Sequence, residues 1–263
     1  MISKQPIGIF DSGIGGLSIW KEITTLLPNE NTIYLADSKN APYGQKSNKK
    51  IIELSVKNTE ILIKRGCKLI VVACNTATTN AIRHLRTHYD IPFIGIEPAI
   101  KPASFKTKTN VIGILATKGT LNSELFFRTS KNFSKGITII EQIGEGLVPL
   151  IEKGKANTKE MKSLLKKYLS PMLEKNIDYL VLGCSHYPFL IPQIREIVGD
   201  NVTIIDSGEA VARQTKEVLK QYKILNDDAS KFSHELCSNS DLGTLEQIID
   251  GFNENCSIKQ LDF

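Results

Sequence analysis

Short β-branched apolar runs alternate along this chain with longer segments of helical periodicity, and no other feature limits its fold so strongly. Residues 7–10, 32–36, 69–73, 93–96, 111–116, 138–141, 179–183 and 202–206 read as strands. Between them, residues 17–27, 49–64, 158–173 and 209–222 carry apolar side chains at helical spacing. Alternation of this kind builds parallel sheets covered by helices on both faces, an α/β architecture. Such sheets bind ligands beyond the carboxyl ends of their strands. Chemistry is therefore expected just after a strand.

The second half of the alternation echoes the first. Ile7-Gly8-Ile9-Phe10-Asp11-Ser12 resembles Ile112-Gly113-Ile114-Leu115-Ala116-Thr117. Lys68-Leu69-Ile70-Val71-Val72-Ala73-Cys74-Asn75-Thr76 resembles Asp178-Tyr179-Leu180-Val181-Leu182-Gly183-Cys184-Ser185-His186. Buried strands draw on few residue types, so apolar likeness alone is weak, but a cysteine at the same strand end in both halves is not explained that way. The expected fold is two pseudo-symmetric α/β lobes, each with a mainly parallel sheet flanked by helices, and an active site in the cleft between them. Residues 1–97 form one lobe, with 208–263 packing back onto it, and residues 98–207 form the other. A cleft between lobes brings the two cysteine-bearing strand ends face to face.

Composition narrows the function classes. The longest apolar stretch, near residues 69–73, is far below the roughly 18 residues of a membrane span, and Asp11 with its neighbouring glycines interrupts any signal-peptide core. A formal charge of +5 spread over scattered lysines suits a solvated surface better than a nucleic-acid footprint. Cys67, Cys74, Cys184, Cys237 and Cys256 form an odd set without Cys-x-x-Cys spacing, which speaks against a disulfide framework or a zinc ribbon. The chain is expected in the cytoplasm, with its cysteines as thiols.

Cys74 and Cys184 each follow a strand and precede polar residues, where helix N-termini and free backbone amides favour a thiolate. A histidine or carboxylate near a thiol can exchange its proton, which singles out His186 and Asp11. A Cys/His pair also fits a nucleophilic hydrolase, although that chemistry leaves the second cysteine without a role. A metal held by Cys74, Cys184 and His186 is the sparser alternative. The glycine-rich turn at residues 11–16 matches neither a P-loop nor G-x-G-x-x-G, so it points to a carboxylate rather than a dinucleotide. Asn75, Thr76, Thr117, Thr120, Ser185 and the Pro42-Tyr43-Gly44 loop supply small neutral groups suited to a molecule bearing ammonium and carboxylate. Glu152 reads by default as a surface carboxylate.

Ile-Phe-Asp-Ser-Gly-Ile-Gly-Gly (9–16), Ala-Pro-Tyr-Gly (41–44), Ala-Cys-Asn-Thr-Ala-Thr (73–78) and Gly-Cys-Ser-His-Tyr-Pro (183–188) together resemble the glutamate racemase family. The likeness runs on through Asp-Ser-Gly-Glu-Ala (206–210). It departs from the family at Ser185, where threonine is usual, though the hydroxyl is kept. The resemblance implies interconversion of L- and D-glutamate without pyridoxal phosphate, metal or other cofactor, supplying D-glutamate for peptidoglycan, in a homodimer; composition adds the expectation that neither nucleic acid nor membrane is a partner. It implies that Cys74 and Cys184 are paired acid/bases assisted by Asp11, Glu152 and His186. Substrate contacts carried over with it are Asp11, Ser12, Tyr43, Gly44, Asn75, Thr76, Ser185 and His186. The alternatives are a racemase for another small amino acid such as aspartate, or a regulatory gyrase-binding protein.

Overall fold

Buried positions run without interruption along β1 (Ile7–Asp11), β2 (Thr32–Ala36) and β3 (Leu69–Val72), the pattern of a sheet covered on both faces. In the computed structural model, which describes residues 2–228, 232–251 and 255–263, α1 (Leu17–Leu26), α2 (Asn48–Lys64) and α3 (Asn75–His88) connect these strands to β4 (Phe93–Gly95). Helix α4 (Ile100–Lys106) leads to β5 (Val111–Ala116), α5 (Lys118–Leu121), α6 (Glu124–Phe133) and β6 (Thr138–Ile143). There follow α7 (Leu147–Glu152), α8 (Lys159–Leu173), β7 (Tyr179–Gly183), α9 (Ile191–Val198) and β8 (Thr203–Ile205). The chain then returns through α10 (Gly208–Gln221), β9 (His234–Ser238), α11 (Gly243–Ile249) and β10 (Cys256–Gln260). Residue 1, and residues 229–231 and 252–254 of the C-terminal segment, lie outside the described residues.

The strands form two sheets, in the orders β10-β9-β2-β1-β3-β4 and β6-β5-β7-β8, with parallel pairing throughout. The order β2-β1-β3-β4 in one is repeated as β6-β5-β7-β8 in the other. The internal echo is thus a repeat of topology: β1 and β5 are the central strands, and Cys74 and Cys184 follow the equivalent strands β3 and β7.

Helix α1 buries Leu17, Trp20 and Ile23 and packs against α10. The Trp20 indole donates to Thr32 Oγ1 at 2.9 Å, and that hydroxyl lies 2.9 Å from His234 Nδ1, so α1, β2 and β9 are joined by one buried polar chain. Lys68 adds a second tie, with Nζ 2.5 Å from Glu30 Oε2 and donating to Ile224 O at 2.9 Å. Strands β9 and β10 have no counterpart in the apolar runs of the sequence. Strand β10 is an edge strand with no buried residue, and β9 carries His234, Glu235 and Ser238. Polar partners replace the apolar run that identifies the other strands.

Candidate active site

Cys74 is the N-cap of α3, and its sulfur accepts from the amide of Ala77 at 3.4 Å and lies 3.6 Å from Ser12 Oγ. Cys184 has a different setting: after β7 the chain makes a turn and a short 3-10 helix, Tyr187–Leu190, so its partner is a side chain, His186 Nδ1 at 3.8 Å. Both cysteines are buried, and both line one narrow cavity with Ser12, Asn75, Ser185 and His186.

His186 is the hub of the site. Its Nε2 lies 2.5 Å from Glu152 Oε1, while Nδ1 faces Cys184 and stands 4.0 Å from Asp11 Oδ2. Glu152, at the end of α7, is held there by the Ile14 amide at 2.8 Å and the Ser38 hydroxyl at 2.8 Å. Its default reading as a surface carboxylate does not hold, because its side chain is only 14% exposed. Asp11, at the end of β1, accepts from the amides of Gly13 and Gly16, each at 3.1 Å, and from Ser185 Oγ at 3.1 Å.

The glycine-rich turn therefore works differently from the anion cradle expected of it. The amides of Gly13, Ile14 and Gly16 are taken by the protein's own carboxylates, Asp11 and Glu152. Its glycines serve close approach: a Cβ on Gly13 would collide with the Glu152 carboxylate, and one on Gly15 with the His186 ring.

Burial is the largest influence on Cys74 and raises its pKa well above the usual thiol value; the charge of Asp11 adds to this, and the Ala77 amide and Ser12 hydroxyl oppose it without prevailing. The helix-terminus argument for a resting thiolate at Cys74 is thus overturned by desolvation. Burial also raises Asp11, with the His186 charge opposing. For His186, burial alone pulls downward, but the bonds to Cys184 and Glu152 and the charges of Asp11 and Glu152 lift it well above its ordinary value. The closed cleft thus has a thiol on one wall and an imidazolium beside the sulfur on the other.

Pro42, Tyr43, Gly44, Thr76, Thr117 and Val148 complete the lining. The Tyr43 hydroxyl points away, donating to Asp37 Oδ2 at 2.5 Å and accepting from Asn58, so its ring and backbone are what the cavity meets. Thr120 stands behind Thr76 and Thr117, at 3.3 and 3.0 Å. Asn75 is 2% exposed, and neither polar atom of its amide has a partner among the described residues. Buried amides are normally satisfied, so this group marks where a polar ligand would bind. The free interior is about 10 Å³, room for roughly one water; an amino acid enters only if the walls part.

Ser38 and Val148 were not singled out in the sequence. Ser38 lies two residues past the end of β2, so the strand-end rule reaches it; Val148 carries no chemical signal. Among the described residues, no group of three or more His, Cys, Asp or Glu side chains is arranged to hold a metal ion, and no helix is long and apolar enough to cross a membrane.

Known proteins share this architecture and sequence. The Asp/Glu/Hydantoin racemase family model matches residues 12–215. A glutamate racemase of Herpetosiphon aurantiacus is 46% identical over 240 residues, covering 91% of this chain and 94% of that protein. One from Ralstonia pickettii is 48% identical, covering 82% of this chain and 77% of that protein. Among solved structures, glutamate racemase RacE1 from Bacillus anthracis superposes with a TM-score of 0.88 at 30% identity, covering 98% of each chain. The Escherichia coli glutamate racemase, solved with L-glutamate and the activator UDP-MurNAc-Ala, gives 0.86 at 31% identity, again covering 98% of each.

Proposed function

The chain belongs to the Asp/Glu/Hydantoin racemase family, and on that premise we infer that it interconverts L- and D-glutamate by proton transfer at Cα, supplying D-glutamate for peptidoglycan. The observation that carries the mechanism is the pair of cysteines lining one cavity from equivalent strand ends of two sheets. Inverting a stereocentre by proton exchange needs a base on one face and an acid on the other, and reversing the reaction exchanges their roles. In this reading Cys74 and Cys184 are those two groups. His186, held by Glu152, serves Cys184; Asp11 sets the charge beside Cys74. The α-proton of an amino acid is a very weak acid, so donors must stabilise the charge that develops as it leaves. Asn75, Ser12 and Ser185 are suited to this, with Pro42, Tyr43, Gly44, Thr76 and Thr117 shaping the pocket and Thr120 supporting it. The substrate ammonium brings a positive charge beside Cys74, offsetting the desolvation that holds it as a thiol.

Circular dichroism of purified protein with each enantiomer of glutamate and of aspartate tests the substrate. Faster turnover of aspartate would displace the glutamate reading in favour of its family relative. On the same family grounds we propose a cytoplasmic homodimer divided into residues 1–97 with 208–263, and 98–207; light scattering of the eluting protein gives the assembly state.

A pH prediction follows from the position of Asp11. Turnover needs one thiol and one thiolate, so kcat/KM falls on the alkaline side when the second thiol ionises. Burial and then the Asp11 charge raise Cys74, which keeps its thiol to higher pH and displaces that fall upward. Asp11→Asn removes the larger of the charge influences on Cys74, and the alkaline limb should move down by about one pH unit, the low end of a neighbouring-charge effect. Titration of the free substrate is common to both proteins and cancels. An unmoved limb would contradict the assignment.

A further inference from the structure

Two openings flank the cysteine cavity, and their charges differ. One, of about 460 Å³, shares Pro42, Gly44, Thr117 and Val148 with the cavity and carries Lys118 and Lys167 against Glu145. The other, of about 480 Å³, shares Pro42 and Val148 with it and carries Glu152 and Asp241 against Lys153. The first carries a net positive charge; in the second Glu152 is paired with His186, and Asp241 and Lys153 offset each other. Lys118 opens α5 directly after the lining residue Thr117, and Lys167 in α8 holds its ammonium 5.7 Å from the centre of the Tyr168 ring. Both lysines are exposed, so they act on a passing anion through their field and need no contact with it.

We propose that an anionic amino acid reaches the two cysteines through the opening lined by Lys118 and Lys167, and that these two ammonium groups select the anion on its way in. Glutamate, with two carboxylates and one ammonium, has a net negative charge at neutral pH. It is attracted at the first opening and finds no such attraction at the second. Charges several ångströms from the path change the local anion population appreciably at low ionic strength, and added salt screens the effect. The proposal rests on the racemase reading only for the identity of the natural anion.

The test uses alkylation of the cleft cysteines by two probes of similar size, anionic iodoacetate and neutral iodoacetamide, with labelling of Cys74 and Cys184 read by mass spectrometry. In the Lys118→Glu/Lys167→Glu protein, the iodoacetate-to-iodoacetamide rate ratio should fall on the order of tenfold at low ionic strength and recover in high salt. The iodoacetamide rate should stay at the native value, which also shows that the variant is folded. Lys153→Glu, at the opposite opening, should leave the ratio unchanged. In parallel, kcat/KM for L-glutamate should fall with the same salt dependence while kcat is kept. A ratio unaffected by the double reversal, or lowered equally by Lys153→Glu, would overturn the proposal. A lowered ratio in a protein that does not turn over glutamate would support the route while removing glutamate as its traveller.

Discussion

Cys74→Ala and Cys184→Ala should each abolish racemisation in both directions, lowering kcat/KM by at least about 10³-fold, within the range for loss of a positioned acid or base. The symmetry of the loss is the informative part. If Cys74 takes the proton from one enantiomer, it must return it when the reaction runs backwards, so no direction survives without it. The same holds for Cys184. Each substitution removes one buried sulfur and its own weak contacts, the Ala77 amide and Ser12 hydroxyl for Cys74 and His186 Nδ1 for Cys184, but Asp11 keeps the Gly13 and Gly16 amides, and Glu152 keeps Ile14 and Ser38. Urea unfolding of the variants checks that the fold is intact. A variant that racemises at the native rate would show that its cysteine is a packing residue.

His186→Asn should lower kcat/KM by on the order of 10²-fold, by removing the imidazolium beside Cys184 while keeping a hydrogen-bonding side chain. Because enantiomers have equal free energies in water, the equilibrium constant is unity and kcat/KM must fall equally in the two directions. An asymmetry can appear only in kcat and KM separately. It should be largest for the enantiomer whose proton Cys184 removes, because the imidazolium, raised by Cys184, Glu152 and Asp11, stabilises the thiolate of that step. Glu152→Gln should act in the same sense with smaller size, since it disturbs His186 without removing the ring. Steady-state kinetics from both enantiomers reads this directly. Equal changes in kcat in both directions would mean that His186 serves the fold of the cleft and not one wall of it.

The parts of this molecule that follow from apolar patterning were legible in the chain. Strands β1 to β5 and β7 are largely buried, and the more exposed edge strands β6 and β8 still carry isoleucine runs, so composition announces all eight to within a residue or two. The echo around Cys74 and Cys184 became a repeated strand order because equivalent strands bury equivalent positions. Strands β9 and β10 escaped, since His234 and Glu235 are paired with Thr32 and Arg65 instead of being apolar. Glu152 lies 34 residues from His186, and only the packing of α7 against the loop after β7 brings them together. The turn at residues 11–16 shows a subtler limit. Its affinity for carboxylates was readable from glycine and strand context, but which carboxylate occupies it depends on tertiary approach. Likewise the Tyr43 hydroxyl has a buried partner, Asp37, whose position depends on how the segment after β2 folds. Helix-end electrostatics at Cys74 were correctly located yet outweighed, because burial depth has no local signature.

The most direct test of the two-cysteine account is the fate of the Cα hydrogen when L-glutamate is racemised in deuterated water and stopped at low conversion. The account predicts D-glutamate carrying solvent deuterium at Cα while the recovered L-glutamate stays unlabelled, because the proton leaves to one sulfur and its replacement comes from the other. D-glutamate that retains the original hydrogen, or equal labelling of both enantiomers from the outset, would contradict it.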